Sequence, residues 1–242
     1  MDGFDADAYG ERIAGVYDEM YSQVEAGCLD FLLENARSGR ALELGVGTGR
    51  IALPLAAQGI EVHGIDASPA MVDKLKQKAG SEQIALSIGS FEAFDLGLKF
   101  DLVYVVFNTF YALLTQQAQI SCFEHVAKHL TPSGTFVLEA FVPDLTRFTA
   151  GQALRVISID EDRIRLDASL HDPVNQLVSS QHILFTAEGT RMYPVRLRYA
   201  WPSELDLMAR LAGMIRIERW GSWGRDEFTA GSRKHVSVYR LE

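Results

Sequence analysis

ALELGVGTGRIALPLAAQGIEVHGIDAS, residues Ala41 to Ser68, is the stretch whose reading decides the fold. An apolar strand ends at Glu43-Leu44-Gly45. Glycines then recur at every second position: Gly45, Gly47 and Gly49. An alanine- and leucine-rich helix follows, with Pro54 in its first turns and Gly59 closing it. A second strand runs to Asp66. Glycines between a strand and a helix let a ligand approach the backbone where the free N–H groups of a helix start are on offer.

The same alternation continues outward. Ser68 and Pro69 start a helix that ends at Gly80. IALSI is a third strand, and FDLVYVVF a fourth, apolar almost throughout as a strand buried on both faces is. Thr115 caps a helix that runs towards Pro132, and GTFVLEAF is a fifth strand. Before the motif, residues 8–36 repeat apolar side chains at spacings of three and four and read as helical. About 100 residues of alternating strand and helix predict an α/β fold with a doubly wound, Rossmann-like parallel sheet.

The texture changes after Pro143. Arg155 to Ile164, Gln176 to Thr186 and Thr190 to Tyr199 read as period-two strands joined by turns, an antiparallel β insert. WPSELDLMARLAG is a helix with Ser203 at its start, and two strands close the chain.

The chain has 242 residues, 48% of them hydrophobic, enough for one sizeable core. Its net charge of -9 argues against a sequence-independent grip on nucleic acid. Residues 151–242 carry 13 basic against 12 acidic side chains, leaving 10 against 20 for the half with the glycine motif. Cys28 and Cys122 lie in helical patterns without metal-ligand spacing, so no metal site is expected. The polar start MDGFDADAYGER and the lack of an apolar run near 20 residues point to a cytoplasmic protein without a membrane span.

The glycine loop excludes two common nucleotide motifs. G-x-G-x-x-G from Gly45 requires glycine at position 50, which is Arg50, and the P-loop pattern is absent. What remains is acidic-x-G-x-G-x-G followed by an acid at the end of the second strand. Asp66 there can accept both hydroxyls of a ribose. A ligand with a ribose and no pyrophosphate suits so acidic a loop.

With these residues the chain resembles the class I S-adenosylmethionine (SAM) dependent methyltransferases, in motifs spanning roughly residues 40–142, with a tail similar to that of small-molecule members. The resemblance implies a seven-stranded sheet, SAM as cofactor and S-adenosylhomocysteine (SAH) as product. Carried over residue by residue, Glu43, Gly45, Val46, Gly47 and Gly49 wrap the methionine part. Asp66 holds the ribose, and Ala67 and Met71 lie beside the nucleoside. The family's acidic residue after the third strand is replaced by Ser90, with Phe91 against the adenine. Phe107 and Asn108 border the reacting centre. The N-terminal YGERIAGVYDEMY is similar to the lid helices of amino-sugar N-methyltransferases, which puts Tyr9, Tyr17 and Tyr21 over the cofactor or substrate.

The acceptor is less legible. FNTFYALL lacks the proline motif of amino-directed nucleic-acid enzymes, and neither cysteine suits a C5 mechanism. A small-molecule acceptor methylated on N or O is the expectation, by in-line transfer that depends on proximity. The alternatives are a non-catalytic SAM- or SAH-binding protein and an RNA-nucleoside methyltransferase. A pocket filled by Phe107, Phe110 or Tyr111 would favour the binder. Base candidates for a hydroxyl are His171, His182, Glu139 and Asp144; His235 is not expected to act in catalysis. Arg196 and Arg198 share one face of a strand and suit an anionic group. Tyr111 and Trp201 complete the substrate candidates. The organisation expected is lid helices over 1–38, a SAM-binding core over 39–145 and 200–242, and a substrate-covering insert over 146–199, in a monomer or homodimer.

The ribose role generates a prediction. Asp66→Ala weakens SAM binding by about 1–3 kcal/mol, because it removes charge-assisted hydrogen bonds. Calorimetric titration checks it, and unchanged affinity rejects the role.

Overall fold

The computed structural model describes residues 8–21, 23–37 and 39–242; the side chains of Ala8 and Tyr9, and with them the Tyr9 expectation, lie outside what is described. Its helices are α1 (Ala8–Ile13), α2 (Tyr17–Met20), α3 (Cys28–Ala36), α4 (Ala52–Ala57), α5 (Pro69–Lys76), α6 (Gln116–His129) and α7 (Pro202–Leu211). The strands are β1 (Arg40–Leu44), β2 (Glu61–Asp66), β3 (Ile84–Ile88), β4 (Phe100–Val105), β5 (Leu130–Phe141), β6 (Gln152–Ile159), β7 (Arg163–Asp172), β8 (Leu177–Thr186), β9 (Gly189–Arg198), β10 (Met214–Trp220) and β11 (Lys234–Leu241). No described helix is long and apolar enough to cross a membrane.

Local signals start the helices. The Ser68 hydroxyl accepts from the Met71 N–H at 3.2 Å, with Pro69 in the first turn of α5. Thr115 does the same for α6 through the Ala118 N–H at 3.0 Å. At α7 it is Pro202 that begins the helix, with Trp201 before it and no side-chain cap.

Seven strands form one sheet in the order β10-β11-β5-β4-β1-β2-β3. β1 to β5 pair in parallel, and β11 runs antiparallel to both β5 and β10. Alternate residues of the central strands feed opposite layers. Leu42, Leu44, Val103 and Phe136 pack towards α6 and α7. Ala41, Val62, Leu102 and Val137 pack with α3 and α4. Each fully buried Leu, Val or Phe contributes about 1.5–3 kcal/mol. The strand order reverses between β1 and β4, and such a switch point opens a crevice at the carboxyl ends of the strands.

Two expectations need correction. Residues 8–36 are not continuously helical: α1, α2 and α3 are separate, and Gly27 lies in the left-handed region before α3. Nor is Arg155–Ile164 one strand. Asp160-Glu161-Asp162 turns the chain, with the Asp160 carboxylate accepting from Arg163 Nε at 2.9 Å, so the insert has four strands, β6-β7-β8-β9.

The two sheets meet at Arg198, the last residue of β9. Its guanidinium donates to Gln119 Oε1 at 2.6 Å, Gln176 Oε1 at 2.9 Å and Glu204 Oε1 at 2.8 Å. This ties the insert to α6 and α7 and makes Arg198 a buried structural ion pair, contrary to its expected substrate role.

His235 is fully buried on β11. Its Nδ1 meets Ser237 Oγ at 2.9 Å, and its Nε2 has no partner. Burial, reinforced by the Arg219 charge, pushes its pKa down to about 3. The unfolded chain therefore binds a proton here between pH 6.5 and about 3 that the folded chain does not. This contribution is complete above pH 6.5 and is lost as the pH falls, at up to about 1.4 kcal/mol per pH unit. Urea unfolding from pH 7 to 4 is expected to give a shallower acid slope for His235→Gln than for the wild type.

Candidate active site

The loop after β1 is held by its backbone. The N–H groups of Gly45 and Val46 donate to the Ile65 carbonyl at 2.8 and 2.9 Å. Gly45 has φ +74°, and a Cβ there would stand 2.3 Å from Thr109 Cγ2. Gly47 has φ +54° and faces open space. Asp66 accepts from the Gly47 N–H at 2.7 Å and the Ser68 N–H at 2.9 Å. Each carboxylate oxygen keeps a free lone pair, so ribose hydroxyls can still be accepted. Burial raises the Asp66 pKa against these two bonds.

A cavity of about 130 Å³ opens on this loop, lined by Gly45, Gly47, Asp66, Ala67, Met71, Ser90 and Phe91 among others. A carboxylate beside backbone N–H groups and an apolar wall of Met71 and Phe91 fits a nucleoside. Glu43, Val46 and Gly49 do not line it. Glu43 is buried behind the loop and accepts from the Tyr104 hydroxyl at 3.0 Å. Burial pushes its pKa up to about 8.

The N-terminal helices cover the cavity through polar contacts. Glu11 accepts from Ser68 Oγ at 2.9 Å and the Ala70 N–H at 3.0 Å. Asp18 accepts from Thr48 Oγ1 at 2.6 Å and from Lys78 Nζ at 2.7 Å. Tyr17 lines the cavity, and burial pushes its pKa up to about 12.

A larger cavity of about 340 Å³ lies alongside and shares Tyr17, Thr109 and Ala112 with the first. Its aromatic side has Tyr21 between Tyr17 and Phe107, each pair of rings 5.1 Å apart. Arg50 stacks over Phe107 at 4.8 Å. Its polar side comes from the insert. Asp167 on β7 stands opposite His182 on β8, and Ser169 opposite Ser180, their hydroxyls 2.7 Å apart. Burial lowers the His182 pKa, which Asp167 partly offsets, so the imidazole is neutral at pH 7. Phe110 and Tyr111 turn into the core, so neither fills the cavity. Among the described residues no cluster of His, Cys, Asp and Glu could hold a metal ion.

Phe107 and Asn108 both adopt the left-handed region, with φ 58° and 65°. The Phe107 N–H donates to Glu139 Oε2 at 2.9 Å, and the Phe141 N–H donates to Asn108 Oδ1 at 2.7 Å. Glu139 also meets Lys234 Nζ at 3.2 Å. It lines neither cavity, so it acts as an anchor for the turn and not as a base.

Other expected residues also fall elsewhere. The Tyr111 hydroxyl donates to the Ala200 carbonyl at 2.8 Å inside the core. His171 stacks on Phe148 at 4.6 Å and bonds the Tyr199 hydroxyl at 2.9 Å, away from both cavities. Trp201 is half-exposed and lines neither cavity. Asp144 is exposed and closes a turn onto Thr146 at 3.0 Å. Of the arginine pair, only Arg196 reaches the larger cavity. Thr109, Ala112, Arg147 and Asp167 line the cavities and were not foreseen. The signal for Asp167 was the polar alternation Arg165, Asp167, Ser169, His171, which reads equally as a solvent face.

A family described as a methyltransferase domain matches residues 41–134. The chain is 28% identical to a cypemycin N-terminal methyltransferase of Streptomyces sp over 239 residues, 97% of this chain and 98% of the relative. It is 40% identical to the solved structure of the CcbJ methyltransferase from Streptomyces caelestis, with a TM-score of 0.92 over 98% of this chain and 99% of that one. An S-adenosylmethionine-dependent methyltransferase from Clostridium acetobutylicum shares the fold, with a TM-score of 0.81 at 15% identity over 96% and 98% of the two chains.

The contact of Gly45 with Thr109 gives a second test of the small cavity. Gly45→Ala is expected to weaken SAM binding at least about tenfold, through the clash and the positive φ together. Thr109→Ser removes the offending methyl group, so the double variant recovers part of the loss in the same titration.

Proposed function

Because the chain belongs to the class I SAM-dependent methyltransferases, we propose that it N-methylates a small-molecule amine held in the larger cavity. One observation carries this reading: Asp167 and His182 face that cavity, which meets the nucleoside-fitting cavity at Tyr17, Thr109 and Ala112. SAM, when bound, supplies an electrophilic methyl group. The smaller cavity holds it in this proposal, with Asp66 on the ribose and Met71 and Phe91 at the base.

The residues of the larger cavity suit an amine. An amine enters water-borne and protonated, and must lose that proton before its lone pair can attack. The Asp167 carboxylate attracts the ammonium. The rings of Tyr17, Tyr21 and Phe107 add cation–π attraction, worth about 0.5–2 kcal/mol. The neutral His182 imidazole takes the proton. An alcohol gives the carboxylate and the rings no cation to hold. A relative over nearly the whole chain is named for methylating an N-terminus, which favours nitrogen as well. Thr109 and Ala112 are small where the two cavities join, so the reactants can come close, and proximity supplies much of the rate. Closure by α1 and α2 excludes water. In this reading residues 39–145 and 200–242 bind the cofactor, 146–199 cover the acceptor and 1–38 form the lid.

The test is label transfer from SAM to matched pairs of compounds that differ only in carrying an amine or a hydroxyl. Label is expected on the amine member alone; comparable labelling of the alcohol rejects N-transfer. His182→Gln is expected to lower kcat/KM at pH 7 by about 100-fold. The loss shrinks above pH 9, where the acceptor arrives neutral unaided.

A further inference from the structure

A third cavity, of about 500 Å³, adjoins the 340 Å³ cavity and shares Phe141, Arg147 and Val178 with it. Arg155 and Arg233 also line it. These three guanidiniums and that of Arg196 stand out in a chain of net charge -9. Several other arginines find acids, among them Arg40 with Glu61, Arg198 with Glu204 and Arg219 with Asp206, and Arg37 and Arg50 find backbone carbonyls. Among the described residues Arg147, Arg155, Arg196 and Arg233 make no ion pair and no side-chain hydrogen bond, and Arg196 Nε is buried without a partner.

Arg147 is the hinge of this arrangement. It lies in the wall common to both cavities, half-buried, and stacks over the Phe148 ring at 4.6 Å. Phe148 is in turn stacked on His171. The stacking fixes the plane of the guanidinium and leaves its N–H groups without protein acceptors. Burial, with the Arg155 charge, draws its pKa below the usual arginine range, a cost that Asp167 and Asp144 offset only in part and that a bound anion would relieve. Two carboxylates lie nearby, and one of them, Asp144, lines this cavity and feels the charges of Arg233 and Arg147. Asp144 is engaged by Thr146, and Asp167 accepts from Ser169 at 3.0 Å.

We propose that the methyl acceptor carries an oxyanion, a carboxylate or a phosphate, which Arg147 grips at the junction of the cavities with help from Arg155 and Arg233. The proposal rests on the amine-acceptor reading and makes the acceptor an amine at one end and an acid at the other. Asp167 and His182 sort the cationic end, and the arginines sort the anionic end. A bidentate guanidinium contact sets orientation as well as affinity, so it would aim the amine at the wall shared with the cofactor.

Calorimetric titration of the SAH-saturated protein with inorganic phosphate, and separately with succinate, tests this without any methyl transfer. At least one anion is expected to bind at millimolar concentration or below. Arg147→Gln should weaken it about tenfold or more, and SAH affinity should stay unchanged. Arg210→Gln, on the exposed side of α7, should leave the anion affinity as it was. If Arg147→Gln no longer binds SAH, the exposed Arg233→Gln carries the test, with a smaller loss expected. Preference for phosphate points to a phosphorylated acceptor, and preference for succinate to a carboxylic acid. Absence of binding by both anions, or equal binding by wild type and the arginine variants, overturns the proposal. Anion binding without labelling of any amine would leave this site standing and reject the amine reading. Amine labelling without anion binding would do the reverse.

Discussion

The end of β4 is the constraint on which both cavities depend. Two consecutive residues with side chains, Phe107 and Asn108, are held in the left-handed region, at a cost of about 1–2 kcal/mol each. Three groups hold them there: the Glu139 carboxylate on one N–H, the Asn108 amide oxygen on the Phe141 N–H, and Lys234 behind Glu139. The reversal delivers the turn Thr109–Ala112 between the cavities and presses Thr109 onto Gly45. It also turns Phe107 outward to meet Tyr21. A buried carboxylate that looks catalytic in an apolar strand therefore sets the shape of the site by holding a backbone.

The four-stranded sheet is the second determinant, and its polarity is reversed along β7. Asp167, Ser180 and His182 line the larger cavity, with Ser169 beside them on the same face. Leu154, Leu170 and Met192, on the opposite face, are at least half exposed. The usual rule of apolar inside and polar outside would mount this sheet the wrong way round.

That reversal explains what could be read in advance. The glycine loop, Asp66, the alternating strands and the caps at Ser68 and Thr115 are local signals, each tied to a backbone requirement that neighbouring residues meet. The doubly wound parallel sheet follows from them, and the count of seven strands from the resemblance. The cavity on the insert side is made by pairs distant in sequence. Asp167 meets His182 only through β7–β8 register, and Arg147 reaches the larger cavity and its 500 Å³ neighbour from a turn. Arg196 and Arg198 alternate identically along one strand. Only the packing of α6 and α7 on Arg198 separates a structural ion pair from a cavity residue. Glu11 and Asp18, to which the sequence assigns no role, show the same limit: they latch the N-terminal helices to α5 and the glycine loop.

Among the described residues the two cavities share Tyr17, Thr109 and Ala112. The smaller is otherwise built by the N-terminal helices and the parallel sheet, and the larger draws most of its polar groups from β7 to β9 and the turn that carries Arg147. Substitutions on the insert can thus accumulate without disturbing the loop at Gly45 or the carboxylate at Asp66. In a scaffold divided in this way the insert side can change piecemeal while the wall around Gly45 and Asp66 stays intact.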